Sequence, residues 1–128
     1  MSTYSTSLRA ELITTGTQPG TWGNTTNDNL DTVFDAAIAG YITVTALTAN
    51  QALTYVNGPT STASANESIR AALNLTTPTT ADFAVYAPPV SKLYIIKNSS
   101  LYTATIYNST VIGNTTAAGT GVAIPAGK

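Results

Sequence analysis

Cysteine and histidine are both missing from this sequence. Without cysteine there are no disulfides, no thiolate nucleophile and no zinc-thiolate site. Without histidine there is no imidazole base, no imidazole metal ligand and no side chain that ordinarily titrates near neutral pH. Most common routes to catalysis and metal binding are therefore closed to this chain.

Charge is also scarce. Only 9% of the residues are charged, with 5 basic and 6 acidic side chains and a formal net charge of -1. This composition supplies neither the basic surface that binds nucleic-acid phosphates nor a polybasic membrane anchor. No apolar run is long enough to span a bilayer, and residues 1–7 lack the basic and apolar regions of a signal peptide. We therefore predict no nucleic-acid partner and no membrane insertion.

Threonine, serine and asparagine are abundant instead, and they supply the polar surface that charged residues usually provide. This balance favours β-strands whose outer faces carry threonine. A chain of 128 residues fits one domain with a modest core.

One segment reads clearly as a helix. Apolar side chains spaced by threes and fours predict an amphipathic helix over residues 25–39. Asn24 and Thr25 are suited to cap its start, and Gly40 is suited to close it in the left-handed conformation. Trp22 can complete the core of this helix or anchor a partner, and both interpretations stay open. The candidate attachment or oligomer-interface residues are Trp22, Leu30, Val33, Phe34, Ile38 and Tyr41.

After Gly40 the apolar residues alternate, which is typical of half-buried strands. Residues 92–97 and 101–107 are predicted to form a hairpin, and residues 41–46 are predicted to pair with 52–56. The predicted fold is mainly β, with an N-terminal arm and the helix (residues 1–40) leading into a small antiparallel β-sandwich or barrel (residues 41–128). The arm itself docks on a partner or packs on its own domain. Further strands are predicted at 68–76, 82–86 and 121–125.

Two sets of side chains resemble chemical sites but lack essential members. Asn27, Asn29 and Asp31 match the first ligands of a calcium loop, but Thr32 replaces the required glycine and Ile38 replaces the closing glutamate. Glu67 and Asp82 are the candidate pair of a glycosidase, but no orienting group or apolar pocket accompanies them. We predict no metal, no cofactor and no enzymatic activity.

Four tyrosines form the last candidate set. They are either a platform on which a sugar stacks or residues that cap the core or meet another subunit, and the second interpretation is favoured. The residues are Tyr86, Tyr94, Tyr102 and Tyr107.

Three stretches together resemble the N-terminal region of tail-fibre-like virion structural proteins of marine and cyanobacterial bacteriophages. The most specific stretch combines Thr-Trp-Gly at 21–23 with Thr-Asn-Asp-Asn-Leu at 26–30, within residues 8–13 and 20–30. The other two are the helix end at 36–41 and the tail at 92–98 with 119–128. Members of this group tend to continue past the position of Lys128 into another strand.

The resemblance implies a non-enzymatic virion protein, usually trimeric, with its N-terminal end towards the particle. The expected function is a tail-fibre or tail-appendage module that attaches to other tail or capsid proteins and supports host adhesion. Such a protein is assembled in the host cytoplasm and released by lysis. A capsid decoration or head-fibre protein is the first alternative, and a carbohydrate-binding module that takes a host surface glycan is the second.

Overall fold

The computed structural model describes residues 3–45, 50–76 and 80–128. A continuous helix runs through α1 (Trp22–Asn29), a π-helical segment (Leu30–Phe34) and α2 (Asp35–Ala39). Two short 3-10 helices span Ala63–Ala65 and Glu67–Ile69. The strands are β1 (Thr3–Tyr4), β2 (Glu11–Leu12), β3 (Tyr41–Val44), β4 (Gln51–Ala52), β5 (Ala72–Leu75), β6 (Phe83–Ala87), β7 (Ile95–Asn98), β8 (Ala104–Asn108) and β9 (Val122–Ile124).

The two main sheets are mostly parallel, so the predicted antiparallel sandwich or barrel is wrong. The first sheet has the order β3-β5-β7, and both of its pairings are parallel. The second has the order β4-β6-β8-β9, in which only the β8-β9 pairing is antiparallel. The described residues form a mixed α/β fold whose sheets do not close into a barrel.

Consecutive strands from β3 to β8 alternate between the two sheets. The chain therefore winds in coils, and each coil adds one strand to each sheet, as in a parallel β-solenoid. This winding replaces the predicted hairpin, because β7 and β8 lie in different sheets. It also separates β3 from β4, which were predicted to pair, although Ala46, the predicted end of that strand, lies outside the described residues. A strand that is connected to the opposite sheet shows the same alternation of apolar and polar residues as a strand in a hairpin. One face of the strand is buried in both cases, so the sequence pattern does not distinguish them.

The core lies between the two sheets and is built from side chains stacked in register. In the first sheet Leu73 of β5 lies between Ile42 and Ile96, and Leu75 lies between Val44 and Asn98. Each fully buried leucine or valine contributes roughly 1.5–3 kcal/mol of transfer free energy. The buried residues of this core are Val44, Leu53, Leu73, Leu75, Phe83, Val85, Ala87 and Ala104.

The helix begins at Trp22, three residues before the predicted start, and buries one narrow face. Val33 and Ala36 pack in a second small cluster with Ala10 and Ile69. Within the helix, the N–H of Asp35 donates to the carbonyl of Leu30, which is the wide hydrogen bond of a π-helical turn. This wider turn alters the angular spacing of the side chains that follow it.

Gly40 does not adopt the predicted left-handed conformation, because its φ is -71° and its ψ is 140°, which is extended backbone. A glycine is needed there for close approach instead. A Cβ on Gly40 would lie 2.3 Å from the carbonyl oxygen of Ala36. That oxygen accepts hydrogen bonds from the N–H groups of Gly40 at 2.9 Å and Ala71 at 3.2 Å. The helix end is thereby joined directly to the chain that enters β5.

The N-terminal arm packs on its own domain. The side-chain amide of Asn29 makes two hydrogen bonds with the backbone of Glu11. Its Oδ1 accepts from the N–H at 3.0 Å, and its Nδ2 donates to the carbonyl at 2.8 Å. Further along, the N–H of Gly58 donates to the carbonyl of Arg9 at 2.6 Å. The arm is therefore tied both to the helix and to the loop that follows β4.

Candidate functional site

The helix has a second apolar stripe that its own domain leaves uncovered. Leu30, Phe34 and Ile38 follow one another at intervals of four residues, and all three are exposed. Ile38 is the most open of them, with 80% of its surface accessible. We call these three residues the helix face. Large apolar side chains arranged along one stripe in this way are typical of a surface that contacts another molecule.

The six predicted interface residues are thus divided between two sides of the helix region. Val33 is fully buried and belongs to the domain core. Trp22, with 60% of its surface exposed, does not cap that core, so this interpretation of the tryptophan is wrong. Tyr41, the first residue of β3, is also exposed. Five of the six predicted residues are consequently available at the surface.

A second exposed apolar face lies on the outside of the first sheet. Leu93 is 83% exposed and Ile95 is 67% exposed. Lys97 follows Ile95 by two residues on β7, so both side chains project from the same side of the strand. We call Leu93, Ile95 and Lys97 the strand face. The continuous apolar run at residues 93–96 predicts a strand covered on both faces, but the side chains of Leu93 and Ile95 are exposed.

The two faces carry opposite charges. Asp28, Asp31 and Asp35 are exposed on the helix, which contains no basic residue. Lys97 is exposed on the strand face. Asp31 and Asp35 each follow a residue of the helix face by one position, so they flank the apolar stripe. The helix face is therefore acidic at its margin, whereas the strand face is basic.

Lys92 and Tyr94 alternate with residues of the strand face, but both are partly buried. Lys92 donates through Nζ to the carbonyl of Arg70 at 2.8 Å and lies 4.2 Å from the centre of the Tyr94 ring. Burial lowers the pKa of the Lys92 ammonium. The hydroxyl of Tyr94 donates to the carbonyl of Ser68 at 2.6 Å, and burial raises the pKa of this phenol to about 12. Both side chains tie β7 to the preceding coil.

The four predicted tyrosines do not form one platform. Tyr94 and Tyr102 pack against the core between the sheets. Tyr86 and Tyr107 instead stack on each other on the second sheet, with ring centres 5.4 Å apart. A Cβ on Gly121 would lie 2.7 Å from the Tyr107 ring, so the ring leans over the backbone of that glycine. This arrangement covers ring faces that a stacked sugar requires.

Three of the residues that resemble calcium or catalytic groups, Asn29, Glu67 and Asp82, have structural partners. The side-chain oxygen and nitrogen of Asn29 both hydrogen-bond the backbone of Glu11. The carboxylate of Glu67 accepts from the N–H of Thr54 at 3.1 Å, and that of Asp82 accepts from the N–H of Thr103 at 3.0 Å. Among residues 3–45, 50–76 and 80–128, no three metal-ligating side chains come together.

Asn98 is a buried polar residue whose role the sequence did not reveal. Its Nδ2 donates to the carbonyls of Tyr102 at 2.7 Å and Ile124 at 2.9 Å. Its Oδ1 accepts from the hydroxyl and the N–H of Ser100 at 2.6 and 3.0 Å. Its backbone also exchanges hydrogen bonds with Gly127 and Lys128. Because Asn98 follows the predicted strand at 92–97, the sequence predicts a turn there, but the structure places it in β7 on the same side as Ile96. Its alternation with Ile96 is the signal that could have shown this.

Comparison with known protein families, with characterised proteins and with solved structures finds no match for this chain. Among the helices of the described residues, none has the length and apolar character needed to cross a bilayer.

Proposed function

We propose that this chain is a structural module of a bacteriophage virion, part of a tail fibre or related tail appendage, that assembles as a homotrimer. Its task is attachment to the particle and support of host adhesion, without catalysis. The observation that carries the proposal is the exposed helix face, Leu30, Phe34 and Ile38, on a helix whose opposite side is firmly packed.

An exposed apolar stripe favours association, and this protein has few charged residues to oppose it. Only 9% of the residues are charged, so self-repulsion does little to prevent association. Burying the exposed surface of Leu30 and Ile38 against a neighbour contributes at most roughly 1.5–3 kcal/mol for each residue, because both are already partly covered. Assembly into a closed oligomer removes this surface from water and leaves hydroxyl and amide groups outside.

The coiled body also suits an appendage. Parallel coils of this kind stack along one direction, and each coil contacts mainly its neighbours. Length is then gained by adding coils, without rearrangement of those already formed. The resemblance of residues 8–13, 20–30 and 36–41 to virion proteins of the tail-fibre type agrees with this use.

Two measurements test the proposal. Sedimentation equilibrium over a hundredfold range of concentration is expected to give the mass of three protomers at the upper end. The mass of a single protomer at every concentration would contradict the assembly. Antibodies raised against the purified chain are expected to label the tails of phage particles in electron micrographs. Labelling confined to the capsid would identify a decoration protein, and unlabelled particles would refute a virion role.

A further inference from the structure

We infer that copies of this chain join head to tail, with the helix face of one protomer packed on the strand face of the next. The inference rests on the proposed homo-oligomer and adds which surfaces meet. The helix face is Leu30, Phe34 and Ile38, and the strand face is Leu93, Ile95 and Lys97. The occupant of each face is therefore the other face of a second copy.

Charge favours this pairing over either face meeting itself. Two helix faces in contact would bring Asp31 and Asp35 of one copy against those of the other, and two strand faces would oppose their Lys97 side chains. Like charges placed opposite each other in an interface cost free energy and select against that partner. Helix against strand instead places the two aspartates near Lys97 of the neighbour. The side chains of Asp31, Asp35 and Lys97 are all exposed in the single chain.

The spacing of the side chains also matches. Residues four apart on a helix are about 6 Å apart along its axis, because each residue rises about 1.5 Å. Residues two apart on a strand are about 6.6 Å apart. On the α-helical turn that ends the helix, Phe34 and Ile38 therefore have nearly the same spacing as Ile95 and Lys97 on β7. A helix laid along the strand can pack its side chains against the strand at these two positions.

The contact has a consequence for assembly. Two different faces on one chain make a heterologous interface, which closes into a ring when the rotation between neighbours permits. Every protomer of a ring uses both faces, so a trimer contains three such contacts. A defect in either face consequently prevents ring closure.

Mixing two defective variants tests the pairing. The helix-face variant carries Leu30→Ser and Ile38→Ser, and the strand-face variant carries Leu93→Ser and Ile95→Ser. All four side chains are exposed, so circular dichroism and thermal melting are expected to show folded protein. Each variant alone is expected to sediment as a single protomer. The equimolar mixture is expected to form pairs and nothing larger, because only one intact interface remains between the two variants.

Several outcomes would overturn the inference. Wild-type protein that sediments as a single protomer would remove the homo-oligomer and the inference together. A wild-type trimer whose variants fail to form pairs on mixing would remove only the head-to-tail contact. A strand-face variant that still assembles by itself would show that the contact between protomers does not use the strand face.

Charge reversal gives an independent test. Asp35→Lys and Lys97→Glu are each expected to raise the dissociation constant about tenfold or more, whereas the double variant is expected to return to within about threefold of wild type. Thr115→Lys, an exposed change in the loop before β9, serves as the control and is expected to leave association unchanged. Single reversals without effect, or a double variant no better than either, would contradict the pairing of these charges.

Discussion

Inward-facing apolar side chains are covered in the coiled body, which consists of strands β3 to β9, but the apolar side chains of the helix are only partly covered. In the body, alternating apolar residues stack on the equivalent residues of neighbouring coils, so that Leu73 and Leu75 are almost completely buried. In the helix, the side containing Val33 and Ala36 is covered, whereas the larger apolar side chains of the helix face are exposed. The comparison teaches that an apolar pattern identifies a face but does not say whether the same chain or another one covers it.

The largest expected change in stability comes from truncating a buried leucine of the coiled body, and an exposed leucine serves as its control. Leu73→Ala removes a side chain stacked between Ile42 and Ile96, and we expect the free energy of unfolding to fall by about 2–5 kcal/mol. Leu93→Ala is the matched control, and in the dissociated protomer we expect a change within about 0.5 kcal/mol. Denaturant titrations at low protein concentration measure both. Equal losses would mean that the strand face is part of the core.

The buried amide of Asn98 provides the next test of the body. Asn98→Asp keeps the shape but replaces a donor with an acceptor facing the carbonyls of Tyr102 and Ile124. We expect a loss of about 3 kcal/mol at pH 7. The introduced carboxyl should have a raised pKa in the folded state, so stability should be greater in acid and decline as pH rises through that pKa. Asn27→Asp, an exposed change on the helix, should show no comparable dependence when both are melted across pH.

Tyr94 offers a pH test of the contact between β7 and the preceding coil. Its folded pKa of about 12 lies above the ordinary value of 10.0. The neutral phenol is therefore favoured in the fold, and its contribution is complete below pH 10 and is lost as pH rises towards 12. We expect roughly 2–3 kcal/mol of additional loss across this range in wild type relative to Tyr94→Phe, which lacks the titration. Parallel decline of the two proteins in denaturant titrations would refute this role.

The junction between helix and body gives the smallest pair of effects, with opposite signs. Gly40→Ala would place its methyl group against the Ala36 carbonyl, and we expect destabilisation by about 1–3 kcal/mol. Gly23→Ala, in the first turn of the helix, meets no atom within 4 Å and should stabilise by up to about 0.5–1 kcal/mol. Thermal melting of the two variants compares them directly. Stabilisation by Gly40→Ala would show that the junction is looser than described.

The sequence predicted elements better than their arrangement. The helix was visible because threes and fours recur over several turns, and most strands were visible from alternation. The parallel coils were not, because equivalent residues such as Ile42, Leu73 and Ile96 are separated by unequal intervals of 31 and 23 residues. Coils of unequal length leave no internal repeat to detect.

The candidate surface was predicted in part for the same reason. Helical spacing selected Leu30, Phe34 and Ile38 together with Val33, but it does not say which of two neighbouring stripes the arm and the 3-10 helix at Glu67–Ile69 will cover. That depends on contacts distant in sequence, such as Ala10 and Ile69 on Ala36. The strand face was missed because Leu93 and Ile95 adjoin inward residues in one continuous apolar run.

Cross-linking between single cysteines tests the account most directly, since the chain has no cysteine of its own. Protomers carrying Ile38→Cys are mixed with protomers carrying Ile95→Cys, allowed to exchange subunits and treated with a short bismaleimide. We predict covalent dimers in the mixture and almost none when either variant is treated alone. Dimers formed efficiently by Ile38→Cys protein alone, or no dimers in the mixture, would contradict a helix face seated on the strand face of a neighbour.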